Sequence, residues 1–189
     1  MSQVLLQRWV ESGDESVFQL MYEVYYGRIL GFATALTGQA AEGEDLAQEV
    51  FLRLYQGRPK YQQEGIAHGR ALLYTMARRL AYQYAAYRKR WKRLAEQQAP
   101  IRDALLGAGP STREELMELA QTRVYLQEAL DGVPEPQREV LLLRHREDLS
   151  YAEMARVLEC SIPQVKSRLH YARHLLRARL FQLWLFTDR

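Results

Sequence analysis

The sequence predicts an all-α protein made of two small helical domains joined by a linker, the C-terminal one a helix-turn-helix. Three observations predict it. Alternating runs of β-branched residues do not occur, and apolar residues recur at helical spacing instead. The composition shifts at "QQAPIRDALLGAGPSTREE", which holds two prolines and two glycines and has little periodicity. Near the C-terminus two helix-start signals stand close together, with only "ECS" between the helices they open. These place an N-terminal domain at 1–95, a linker at 96–113 and a C-terminal domain at 114–189.

The elements follow in order. A first helix begins near Ser2 and ends at "ESGDES". Asp14 can cap a second helix, which Gly38 stops. "EGEDLAQEVFLRLYQG" is a third helix, with Leu46, Val50 and Leu54 four apart and Phe51 beside them. Gly57 and Pro59 end it, and "GRPKYQQEGIAHG" reads as a polar loop. A long helix follows from about Arg70 to about Glu96, and past the linker another is expected from Thr112 to Leu130. "DGVPEPQ" is a break, with Pro136 suited to a first helical turn, and "QREVLLLRHRE" a short helix. In the last pair, Ser150 with Glu153 and Ser161 with Gln164 each form a capping box. Met154, Ala155 and Leu158 are the core positions of the first of these helices. Val165, Leu169, Ala172 and Leu176 are the core stripe of the second.

Composition narrows the function. Hydrophobic residues make up 48% and charged residues 26% of the 189 residues, a soluble, core-forming balance. A single cysteine, Cys160, excludes a disulfide within the chain and a thiolate zinc site. No apolar run reaches the ~18 residues that span a bilayer, so no membrane insertion is expected. The opening "MSQVLLQRWVESGDES" lacks the apolar core of a signal peptide, and a cytoplasmic protein is expected. No phosphate-binding glycine loop occurs. His170 and His174 are four apart but have no evident third metal ligand, and no Ser/His/Asp arrangement stands out. The expectation is a protein that is not an enzyme and holds no cofactor.

The net charge is only +3, yet it is unevenly placed. Between Arg70 and Arg93 lie eight basic residues and no acidic one. "SIPQVKSRLHYARHLLRARL", residues 161–180, adds five more basic residues and again no acidic one. Two local basic surfaces on a nearly neutral chain suggest directed contact with a polyanion. In the second stretch Lys166, His170, Arg173 and Arg177 follow the apolar stripe one residue later, so the basic stripe lies beside the buried one. A short-turn helix pair of this kind sets its second helix into a major groove. A basic helix face is more often merely solvated; the paired caps and the short turn favour nucleic acid.

These residues are familiar together. "QREVLLLRH", "LSYAEMARVL" and "VKSRLHYAR" resemble the C-terminal promoter-binding domain of bacterial sigma factors, especially the extracytoplasmic-function type. "EDLAQEVFLRLY" looks like the family's polymerase-binding helix and "ALLYTMARRLAYQYAAYRKRWKR" like its promoter-melting helix. The resemblance runs from about Glu15 to about Leu180. It implies a subunit that binds core RNA polymerase and directs it to promoter DNA. It assigns Asp45, Gln48, Glu49, Phe51 and Leu52 to the polymerase contact. The acidic start of that helix also suits the helix dipole. For melting it points to Tyr74, Arg78, Arg79, Tyr82, Tyr87, Arg88, Lys89 and Arg90, since aromatic and basic groups together hold single strands by stacking and charge pairing. For reading the upstream element, near minus thirty-five, it points to Gln164, Lys166, Ser167, Arg168, His170, Tyr171 and Arg173.

The chain departs from the family pattern at several positions. Glu159 stands where the family usually has Gly in the helix-turn-helix turn, and a left-handed backbone there costs a non-glycine residue about 1 kcal/mol or more. Arg79, Gln83, Leu72 and Tyr171 also differ from the residues common in the family. These changes bear on which promoter is read rather than on the class. The tail "FQLWLFTDR" has two readings, a helix extension packed on its own domain or a docking surface for an anti-sigma factor. Two other functions remain open: a free-standing helix-turn-helix regulator, and a sigma-like adaptor acting through protein contacts.

Overall fold

The structure, a computed structural model, describes the backbone of residues 2–64, 69–95, 128–130 and 132–187, and the side chains of residues 4–63, 69–88, 128–130 and 132–182. Among the described residues every regular element is helical. The chain divides into two units, an N-terminal one of Met1–Leu105 that also counts Arg156–Leu158, and a C-terminal one of Leu106–Ala155 and Glu159–Arg189, with which the whole helix Tyr151–Val157 is described. The expected linker at 96–113 lies outside the described residues. So does most of the helix expected from Thr112 to Leu130, of which 128–130 are described and helical.

The N-terminal unit is built from α1 (Ser2–Ser12), α2 (Glu15–Thr37), α3 (Ala40–Gln56), α4 (Arg58–Glu64) and α5 (Gly69–Ala95). Helices α2, α3 and α5 pack on one another, and α1 closes the core against α2 and α5. Asp14 starts α2 as expected: its Oδ1 accepts from the Ser16 backbone N–H at 2.9 Å and from the Ser16 hydroxyl at 2.7 Å. These bonds favour the charged carboxylate and lower its pKa. Gly38 ends α2 in the left-handed conformation, φ 76°, and its N–H bonds the Thr34 carbonyl at 2.8 Å. The chain therefore reverses within two residues, and α3 folds back along α2.

The buried set includes Trp9, Met21, Tyr25, Ile29, Phe32, Leu46, Val50, Leu54, Leu73, Tyr74 and Ala77. An aromatic cluster joins three helices: Trp9 and Phe18 lie 5.0 Å apart, Phe18 and Tyr55 5.1 Å, and Tyr22 and Phe51 4.8 Å. Rings at such separations gain from edge and offset contacts as well as from burial.

The polar loop read at 57–69 is corrected in part, because Arg58–Glu64 form α4. Proline suits the first turn of a helix, where its missing N–H is not needed, so Pro59 opens α4 rather than only closing α3. Long-range contacts hold this short helix. Arg58 Nε donates to the Trp9 carbonyl at 3.4 Å, and half-buried Tyr61 places its hydroxyl 4.0 Å from the Met76 sulfur.

In the C-terminal unit, α6 (Glu135–Leu141) runs into a π-helical turn (Leu142–Arg146), followed by α7 (Tyr151–Val157) and α8 (Ile162–Thr187). Pro136 sits at the start of α6, as its missing N–H allows. The π turn was not expected; "QREVLLLRHRE" read as one short α-helix. The Glu147 N–H bonds the Leu142 carbonyl, five residues back, at 3.1 Å, and the Leu149 N–H bonds that of Leu143 at 2.9 Å. The wider winding turns Leu142, Leu143 and Leu149 into the core together.

Both capping boxes form. The Ser150 N–H donates to Glu153 at 2.8 Å, and the Glu153 N–H to the Ser150 hydroxyl at 3.3 Å. The Ser161 N–H donates to Gln164 at 2.8 Å, and the Gln164 N–H to the Ser161 hydroxyl at 3.4 Å. Val165, Leu169 and Ala172 are buried as expected, with Leu176 half-buried. Met154 and Leu158 are buried with Val157, whereas Ala155 is only half-buried. The tail continues α8 to Thr187, and Phe181 is exposed at its surface. Among the described residues no helix is long and apolar enough to cross a membrane.

Candidate nucleic-acid interface

Helix α8 sorts the sequence-predicted reading residues by angle. Each residue turns the helix by about 100°. With Val165, Leu169 and Ala172 inward, Lys166, His170 and Arg173 fall on one flank, and Arg168 and Tyr171 on the other. Ser167 lies on the outward crest between them. Burial agrees: Lys166, Ser167, His170, Tyr171 and Arg173 are exposed, and Arg168 is half-buried. Gln164 is also exposed, but its side-chain oxygen is engaged in the cap with Ser161. It serves the helix start first.

The turn between α7 and α8 has the left-handed residue that the sequence raised. Glu159 adopts φ 52°. The helix pair thus keeps its turn geometry although a side chain replaces the usual glycine. We predict that Glu159→Gly stabilises the chain by about 0.5–1 kcal/mol, the relief of a left-handed β-carbon less the added freedom of the unfolded chain. Urea denaturation of the two full-length proteins measures this; a destabilised glycine variant would mean that contacts of the Glu159 side chain outweigh the strain. Asp148, ahead of α7, also lies at positive φ, 50°.

Three residues that the sequence did not single out join this surface. The Tyr151 ring receives the Arg144 guanidinium at 5.3 Å from its centroid and the Lys166 ammonium at 5.7 Å, both within cation–π range. Arg173 Nε donates to His145 Nε2 at 3.4 Å. Burial, then the neighbouring Arg173 and Arg144 charges, push the His145 pKa below its ordinary value. His145 comes from the π turn, 28 residues before its partner Arg173 on α8, and Tyr151 lies 15 residues before Lys166, so local pattern carries no sign of these pairings.

The N-terminal unit divides its candidates differently. On α3, Asp45 and Gln48 are exposed, Leu52 is 50% exposed, and Glu49 is half-buried with its Oε1 2.6 Å from Arg53 Nε. Tyr55, 47% exposed, extends this outer stripe and was missed. Its spacing from Leu52, three residues, was the available signal. Phe51 is corrected. It is 3% exposed and packs on Tyr22 at 4.8 Å, so it supports the helix from inside and offers no surface to a partner.

On α5, Tyr74 is corrected in the same way. It is fully buried and meets Phe32 edge-on at 5.3 Å, so its ring is closed to a DNA base. Arg78 lies over the half-buried Tyr82 ring at 4.8 Å, while Arg79 is exposed and Tyr87 is 60% exposed. Arg88 reaches back to the start of α3, where its guanidinium lies 3.3 Å from Glu42. Lys89 and Arg90 are in helix α5, but their side chains lie outside the described residues, as does that of Trp91. Between α3 and α5 runs an open groove of about 520 Å³, whose walls include Asp45, Glu49, Tyr84 and Tyr87.

Comparison with known proteins agrees with both halves. Residues 21–93 match the model of sigma-70 region 2, and residues 123–176 match that of sigma-70 region 4. The chain is 31% identical over 150 residues to the ECF RNA polymerase sigma factor EcfG of Rhodopseudomonas palustris, covering 79% of this chain and 77% of that one. It is 28% identical over 182 residues to the RNA polymerase sigma-H factor of Pseudomonas aeruginosa, covering 92% and 91%. Among solved structures, the sigma factor RpoE of Bartonella quintana, crystallised with the anti-sigma factor NepR, has TM-score 0.64 at 23% identity over 86% of this chain and 96% of that one. CnrH, in complex with the cytosolic domain of CnrY, has TM-score 0.68 at 18% identity over 96% and 99%. These two share the fold. With the region 2 and region 4 matches and the EcfG likeness, the chain belongs to the ECF RNA polymerase sigma factors, which confer promoter specificity on the polymerase.

Proposed function

We propose that this sigma factor divides its work between its two units. The exposed stripe of α3, with Asp45, Gln48 and Leu52, docks on core RNA polymerase. The outer part of α5, with Arg79, Tyr82 and Tyr87, holds the opened downstream element. Helix α8 reads the upstream element through Lys166, Ser167, Arg168, His170, Tyr171 and Arg173. The observation that carries this is the sorting of α8, whose candidate reading residues all lie outside the buried stripe of Val165, Leu169 and Ala172, with Gln164 engaged in the helix cap. Side chains on the outer side of a helix-turn-helix can reach base edges and phosphates together.

Polymerase supplies the chemistry, and this subunit supplies position in the cytoplasm where transcription takes place. The left-handed Glu159 favours a working helix-turn-helix over an adaptor with a decayed reading face, because the turn keeps its course despite the side chain. An anti-sigma factor is a proposed partner as well, since RpoE was solved in complex with the anti-sigma factor NepR.

Run-off transcription tests the reading, with core polymerase and a promoter library, with and without the protein. Initiation from a defined subset of promoters is the expected result. DNA binding without initiation would instead indicate a free-standing regulator, and neither activity would indicate an adaptor.

A further inference from the structure

We infer that Tyr151 and His145 are positioning residues of the DNA-reading surface, holding Lys166 and Arg173 in place for the phosphates of the duplex. The inference rests on the reading of α8 as the DNA-binding helix. Lys166 and Arg173 are seven residues apart, almost two helical turns, and occupy the same flank of α8. Long cationic side chains lose much rotamer freedom on binding, and a contact that restricts them beforehand reduces that loss. Each of the two has such a contact, and in both the partner comes from outside α8.

Lys166 lies over the Tyr151 ring, whose place is itself defended. Arg144 lies over the same ring, and Arg144 is tied down by donating to the Leu149 carbonyl at 2.9 Å. Its guanidinium also lies 3.7 Å from the Asp148 carboxylate. Arg173 is fixed by a different means. Its Nε–H is spent on His145, and this orients the guanidinium plane while the terminal nitrogens remain at the other end of the fork. His145 Nε2 can accept that bond only when it carries no proton. Burial and the two neighbouring guanidiniums favour that form.

A direct role would look different. If Tyr151 contacted phosphate, its hydroxyl would matter; as a platform for Lys166, only its ring does. If His145 bound DNA as a cation, an amide in its place would not serve; as an acceptor for Arg173, an amide would.

The test is promoter binding by holoenzyme containing the full chain, with a fluorescent duplex bearing a promoter recovered by run-off transcription, at fixed salt. His145→Ala and Tyr151→Leu should each weaken binding about two- to fivefold. His145→Ala should have no further effect once Arg173→Ala is present, and Tyr151→Leu none once Lys166→Ala is present. His145→Gln, which retains an acceptor, and Tyr151→Phe, which retains the ring, should bind within about twofold of the parent. Independent, multiplying losses in the paired variants would overturn the inference. So would a loss in Tyr151→Phe equal to that in Tyr151→Leu, which would make the hydroxyl a direct contact. If Lys166→Ala and Arg173→Ala themselves leave binding unchanged, the reading of α8 fails and the inference falls with it. Melting curves of each variant identify any loss that comes from unfolding; if Tyr151→Leu does not fold, a loss of more than about twofold in Tyr151→Phe still overturns the inference at Tyr151, and the His145 and Arg173 variants test the other contact independently.

Discussion

Tyr74→Ala will destabilise the protein by about 3–5 kcal/mol, as expected for removing a buried aromatic ring, and Tyr87→Ala will not. Both residues lie on α5 and both suit base stacking by residue type. Tyr74 is fully buried against Phe32, within a core that also holds Ile29, Leu54 and Leu73. Its removal leaves a cavity between α2 and α5 that neighbouring side chains can fill only in part. Tyr87 is 60% exposed near the outer end of the described α5 surface. Its loss should change stability by less than about 0.5 kcal/mol, as is usual for a surface position. It should instead weaken open-complex formation by about 1–3 kcal/mol, the range for one base–aromatic stack. Urea denaturation measures the first effect and promoter opening by holoenzyme the second. Equal stability losses at the two positions would contradict the assignment of Tyr74 to the core and Tyr87 to the surface. Full opening activity in Tyr87→Ala would remove that tyrosine from the melting surface.

This pair also marks where sequence reasoning stops. Helix ends were legible because their chemistry is local. Asp14 bonds a residue two positions on, Ser150 and Ser161 bond residues three positions on, and Gly38 supplies a left-handed turn. The buried stripe of α8 was legible because Val165, Leu169 and Ala172 share one face and charged residues fill much of the rest. On α5 the same periodicity was ambiguous. Tyrosines occur around more than one face, and residue type does not say which ring meets Phe32 and which meets solvent. Phe51 was misread for a related reason: its aromatic neighbours come from α2, and no local pattern reports them.

Charge is still less predictable than burial. A cation in a basic stretch reads as a phosphate ligand, yet Arg88 meets Glu42, 46 residues earlier. Arg173 likewise meets a histidine 28 residues before it. The π turn that brings His145 there depends on hydrogen-bond register, which residue composition hardly encodes. The elements that hold the site were therefore largely visible in the sequence, whereas the pairings that tune its charges depend on the fold.

Arg168→Ala will weaken promoter binding by about 1–3 kcal/mol, and its effect will add to that of Arg173→Ala. The argument is geometric. Arg168 is half-buried on the flank of α8 opposite the one that carries Arg173. Its aliphatic stem can pack beside the core stripe while its guanidinium extends toward the groove. A helix lying in a major groove has one backbone strand along each flank. Arg168 and Arg173 then meet different strands and share no partner, so removing both should cost the sum of the separate losses. Salt dependence identifies the contact Arg168 makes. If it pairs with phosphate, the slope of log affinity against log salt falls by about one and all sequences weaken alike. If it reads a base edge, the slope is kept and discrimination is lost at one position of the promoter. Binding titrations of the parent, the two single variants and the double variant, at several salt concentrations, separate these outcomes. An Arg168→Ala protein with parental affinity at every salt concentration would confine the reading surface to the crest and the Lys166 flank of the helix.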